Sequence, residues 1–247
     1  MSSMEVEVIY SDKKELIEAI EDALELINNQ YIKNLFLNAI RGFEDNYNFE
    51  KQNIKVLISL YHAVNMINEN ISKNKKINNK YLMCEENSVI PYIDELMEGI
   101  ILAIKEEYEE KKYKYYGYLL GNILFYDDLD RDQCNRLIRV TKTLSYCQIK
   151  LIHMYIISQT IQVPILKRED YTKSGISDYK LLGLLQDTLD MIQKGLLNGS
   201  GKLILDVVQI NPSQIRVQGI GSLIYNLISI NKMPYDELED LLEVLSK

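Results

Sequence analysis

YEEKKYKYYGYLLGNILFYDD, residues 108–128, holds six tyrosines and two glycines in 21 positions, and its reading decides the fold. As a surface, an aromatic run carrying lysines would suit nucleic acid. As a helix, its apolar side chains sort onto one side. Tyr108, Tyr115, Leu119 and Tyr126 fall at helical spacing, and Tyr116, Leu120, Ile123 and Leu124 line the adjoining face. Lys111, Lys112 and Lys114 fall mostly elsewhere around the helix. Tyrosines so placed bury their rings and keep their hydroxyls near water or a polar partner. The spacing predicts one side of a helical core, in a pattern running from Tyr92 to Tyr126.

The same periodicity extends outward in both directions. Ser11 is a candidate N-cap for a helix with Leu16, Ile20, Ala23, Leu24 and Ile27 on one face, and a short alternating run, Glu5 to Ile9, suggests a strand before it. Apolar periods recur over 32–43 and 54–71, and the Lys- and Asn-rich stretch 68–80 is the best linker candidate. Asp130 with Gln133 resembles a capping box, and the helix it opens has Leu137, Val140, Thr141 and Leu144 inward. Ile149, Ile152 and Ile156 mark the next helix, which Pro164 bounds. Leu181, Leu185, Leu189 and Ile192 mark another, capped by Ser177 or Asp178 and broken by NGSG. KLILDVVQINPSQIRVQG then reads as two β-type runs around a turn at Asn211-Pro212-Ser213. A helix through Ile220, Leu223, Ile224 and Leu227 follows. Pro234 starts a last one with Leu238, Leu241, Leu242 and Leu245 on one face.

The chain has 247 residues, 47% hydrophobic and 26% charged, which is ordinary for a folded protein. Its net charge of −8 is concentrated at the ends: residues 1–25 carry −6, residues 233–247 carry −4, and the rest +2. Acidic ends oppose non-specific attraction to phosphate backbones without excluding a local basic face. Cys84, Cys134 and Cys147 lack metal or disulfide spacing, the N-terminus lacks signal-peptide character, and Leu151–Leu166 is too short and polar to span a bilayer. A cytoplasmic protein without a membrane segment is expected.

No catalytic, cofactor or metal motif is complete. Asp128, Asp130 and Asp132 open like a calcium loop, but Gln133 and Arg139 stand where glycine and the bidentate glutamate belong. NGSGK at 198–202 has Leu196 and Leu203 where a phosphate loop needs glycine and a hydroxyl. GIGS at 219–222 has Ile224 in place of a third dinucleotide-binding glycine. His62 and His153 sit in apolar helical patterns with no ligand at i+3 or i+4, and Glu106, Glu107, Glu109 and Glu110 read as a solvated helix face.

The order helix, hairpin, helix over about 175–232 looks like a winged-helix module. Gly195, Leu196 and Leu197 at a helix end, followed through a hairpin by VQGIGSLIYNLI with Gly221 and Ile224, resemble the tail of uncharacterised bacterial helical proteins that end in such a module. Their pattern has Thr where Gln218 stands here, and the match covers under a quarter of the chain. The resemblance implies a regulatory or mobile-element context, phage defence included, and no reaction.

The expected architecture is mainly α: a helical bundle over 1–165, then a small α+β winged-helix-like module with a C-terminal helix over 171–247. The leading functional expectation is a non-catalytic interaction or regulatory protein with a protein partner. The alternatives are a winged-helix DNA-binding regulator and an enzyme with an unfamiliar site. Nucleic-acid or acidic-partner contacts fall to Arg136, Arg139 and Lys142, a basic stripe on one helix, and to Lys180, Lys202 and Arg216. The C-terminal leucines could serve a homodimer, with packing on their own chain as the default.

Overall fold

The computed structural model describes residues 13–44, 50–84, 89–159, 165–199, 201 and 203–246. The expected strand at 5–9, the Ser11 cap, Pro164 and Lys202 lie outside them. The described chain is mainly helical, and it forms two compact units, Met1–Arg139 and Val140–Lys247.

The first unit is built from α1 (Lys13–Glu25), α2 (Gln30–Glu44), α3 (Glu50–Ser72), α4 (Tyr92–Glu106), α5 (Tyr113–Ile123) and the start of α6 (Arg131–Thr143). Leu16, Ile20 and Leu24 of α1 and Ile32, Phe36 and Ile40 of α2 are buried at the four-residue spacing of a helical stripe. The Asn29 side chain caps α2 by accepting from the Ile32 N–H at 3.1 Å. α3 continues through the first five residues of the 68–80 stretch. Asn70 there is buried, donating to Asn122 Oδ1 of α5 at 2.8 Å.

α5, carried by the tyrosine-rich stretch, is buried nearly all round. Its two glycines explain how. A Cβ on Gly117 would lie 2.2 Å from the Ser59 carbonyl oxygen of α3, and one on Gly121 would lie 2.6 Å from that of Ala63. The helices therefore meet backbone against backbone along a seam that no side chain separates. Ser59 Oγ reinforces it, donating to the Tyr113 carbonyl at 2.8 Å.

The helical pattern expected to run from Tyr92 to Tyr126 is broken. α4 ends at Glu106, Glu107 and Glu109 have extended backbones, and a 3-10 turn at Glu110–Lys112 leads into α5. Tyr108, placed by spacing with the core tyrosines, is 86% exposed instead. The cause is local. The Glu107 carboxylate accepts the N–H groups of Tyr108 (2.9 Å) and Glu109 (3.0 Å), so two amides find partners in the break rather than in a helix.

In the second unit α7 (Tyr146–Ile157) lies against α8 (Tyr179–Gln193), α9 (Ile220–Leu227) and the turn leading to α10 (Glu239–Leu245). Ser145 and Gln148 form the capping box of α7, and Asp178 caps α8 through the Lys180 and Leu181 N–H groups. α8 ends at Gln193, before NGSG, with Gly195 at φ +74°.

The hairpin differs from the expected one. Its strands are β1 (Leu197–Asn198) and β2 (Arg216–Val217), antiparallel with Leu197 opposite Val217. The first β-type run does not pair with the second. Asp206 accepts from the Val208 N–H and starts a 3-10 turn at Val207–Gln209; Asn211 accepts from the Ser213 N–H and starts another at Pro212–Gln214. Short acidic and amide side chains thus take amide protons that a ladder would need. Leu196, Gln218 and Gly221 meet one another. The Gln218 N–H donates to the Leu196 carbonyl at 3.1 Å, and a Cβ on Gly221 would lie 2.2 Å from that oxygen. Leu238, Leu241, Leu242 and Leu245 are all buried within their own chain.

Candidate functional site

The buried ionisable groups are the first places to look for chemistry, and each is engaged in packing. Glu107 is 6% exposed and Lys112 2%; they form an ion pair, and Glu107 Oε2 also accepts from the Tyr116 hydroxyl at 2.9 Å. Lys55 donates to the Glu107 carbonyl and rests 5.9 Å from the Tyr113 ring centroid. Burial alone would raise the Glu107 pKa, but the ammonium of Lys112, the Glu109 amide and the Tyr116 hydroxyl outweigh it and hold the carboxyl below its ordinary value. This corrects the reading of Glu107 as part of a solvated face. Among EEYEE, four glutamates look alike in sequence, and only the turn of the chain brings one of them under Tyr116.

In the second unit three polar side chains of α7 reach three different neighbours. Gln148 Nε2 donates to Asp187 (3.1 Å) and Asp190 (2.8 Å) of α8. Lys150 Nζ pairs with Asp240 of α10 at 2.5 Å. His153 Nδ1 lies 3.2 Å from the Tyr225 hydroxyl of α9, with the two rings stacked, and its ring also hydrogen-bonds the Met233 backbone. Burial pushes the His153 pKa down and keeps the ring neutral. His62 packs edge-on against Tyr61 and Tyr118.

The thiols are held protonated where they are buried. Burial raises the Cys134 pKa, and burial with nearby Asp187 pushes Cys147 up to about 12. Neither presents a thiolate at neutral pH. Among the described residues no group of three His, Cys, Asp or Glu side chains is placed to hold a metal ion, and no helix is long and apolar enough to cross a membrane.

The surface offers a charged feature. α6 opens with the capping box read from sequence: the Gln133 N–H donates to Asp130 Oδ1 at 2.7 Å, and the Asp130 N–H to Gln133 Oε1 at 2.9 Å. Arg131 is tied to Glu95 and stacks on Tyr92. Beyond it Arg136, Arg139 and Lys142 are all exposed, at intervals of three residues, and cover about a third of the helix circumference. Of the other basic candidates, Lys180 is exposed in the first turn of α8. Arg216 is turned back on its own loop, its guanidinium donating to the Ser213 (2.8 Å) and Ile215 (2.7 Å) carbonyls. The structure thus gathers three of the six on one helix. No family model matches the chain, and no curated protein or solved structure matches it.

Proposed function

We propose that the chain is a non-catalytic interaction protein that docks an acidic segment of a partner protein on α6. The observation that carries the reading is the exposed row Arg136, Arg139 and Lys142 on one helix. Two guanidiniums offer fork-shaped donors that match carboxylates, and the C-terminal end of the helix suits the added cation at Lys142. The net charge of −8 favours this partner over a long polyanion. At distances beyond about 8 Å salt screens individual charges, and a polyanion meets the acidic molecule as a whole, whereas a short acidic segment needs only the local stripe.

The test is capture of partners from nuclease-treated lysate by the native protein and by the triple variant R136E/R139E/K142E. The reading expects a protein partner that the native chain retains at low salt and the triple variant loses. An unchanged set of captured proteins would contradict it. A winged-helix DNA regulator is the second reading, supported by the order α8, β1, β2, α9 and by exposed Lys180. It expects instead duplex DNA binding that falls steeply with salt and is weakened by K180E.

A further inference from the structure

We propose that Tyr108 is an acceptor site for phosphoryl transfer from a nucleoside triphosphate, catalysed by a tyrosine-directed transferase that reads acidic flanks. At 86% exposure it is the most exposed tyrosine among the described residues, and its hydroxyl meets no partner among them. It stands in an extended link between two helices, with Glu107 at φ −73°, ψ 136° and Glu109 at φ −81°, ψ 100°. An in-line attack on a γ-phosphate requires the acceptor oxygen to enter a cleft, and an extended acceptor backbone can lie across such a cleft where a helix cannot. The other exposed tyrosines among the described residues lack this setting. Tyr31 hydrogen-bonds Asp94, Tyr179 is the first residue of α8 beside Lys180, and Tyr235 sits in a 3-10 turn.

The surroundings fix both conformation and charge. The buried Glu107 carboxylate grips the Tyr108 and Glu109 amides, so the link is held in its extended form before any encounter. Glu106 and Glu110 are exposed on either side of it, while Glu109 is partly covered and lies 3.9 Å from the Lys112 ammonium; the two exposed carboxylates are the flanks offered to a site lined with arginine or lysine. In the transfer the phenolic oxygen forms a bond to the γ-phosphorus, the bond to the bridging oxygen breaks, and the nucleoside diphosphate leaves. The phenolic proton passes to a base of the transferase. The product adds about 1.5 to 2 negative charges to this corner.

The test incubates the folded full-length chain with magnesium ATP and a purified tyrosine kinase that prefers acidic flanks, and maps the phosphate by mass spectrometry. Native protein, Y108F, Y179F, Y235F and the flank variant E106Q/E110Q are compared, with thermal unfolding confirming that each is folded. The proposal expects phosphate at Tyr108, its loss in Y108F alone, and a rate in the flank variant lower by about tenfold, the worth of one charge-assisted contact. Phosphate on Tyr179 or Tyr235 at a comparable rate would overturn it. So would a flank variant modified as fast as the native chain, or incorporation only after heat denaturation.

Discussion

In Met1–Arg139 the central helices α3 and α5 meet backbone to backbone, whereas in Val140–Lys247 the central helix α7 holds its neighbours through Gln148, Lys150 and His153. The first arrangement leaves no room for an added methyl and depends little on protonation at the seam itself. The second relies on polar side chains that bridge the helices, and it weakens when a partner is removed or changes charge. The one place where the first unit resembles the second is its corner, where Glu107 and Lys112 are buried together. Glu107, Lys112, Lys150 and His153, buried among the described residues, are held by packing partners, and the functional reading rests on the exposed face of α6.

The sharpest break in this comparison comes from that corner. Lys112→Met leaves the Glu107 carboxylate buried without its cation and is expected to cost about 3–5 kcal/mol. Combining it with Glu107→Gln should recover much of the loss, since burying two neutral groups removes the uncompensated charge. Urea denaturation of the single and double variants checks both. Next in size, Gly121→Ala forces a Cβ to within 2.6 Å of the Ala63 carbonyl and is expected to cost about 3 kcal/mol, as overpacking does. Gly183→Ala in α8 meets nothing within 4 Å and should stabilise by about 0.5–1 kcal/mol through helix propensity. Equal effects at the two glycines would dissolve the contrast between seam and open helix. Gln148→Ala, removing the bridge to Asp187 and Asp190, should cost about 1–2 kcal/mol by the same measurement, between the two glycine changes in size.

Local rules and long-range ones were unequally legible. The Asp130–Gln133 capping box, the Asp178 cap and the C-terminal leucine face depend on residues three or four apart, and the structure contains each of them. The row on α6 was legible for the same reason. Tyr108 and Glu107 were not, because their fates depend on a chain break that exists only once Lys112 and Tyr116 are folded over it. The hairpin was half legible: β-type side chains in KLILDVVQI suggested a strand, but Asp206 and Asn211 captured the backbone amides. The spacing of Gly117 and Gly121 by four residues is the sequence signal for this close helix approach.

Acidification separates the two units most directly. His153 has its pKa lowered by burial, so its contribution is complete above the ordinary 6.5 and is lost as pH falls through the folded value. Glu107 is held below the ordinary 4.5, so its contribution is complete above 4.5 and is lost only at more acid pH. The measurement is hydrogen exchange of the full chain, expressed as protection factors at pH 7 and pH 5. If these buried groups are structural, amides of α7 and α9 lose protection at pH 5 while those of α3 and α5 keep theirs. Equal loss in both units, or no loss around His153, would contradict the account.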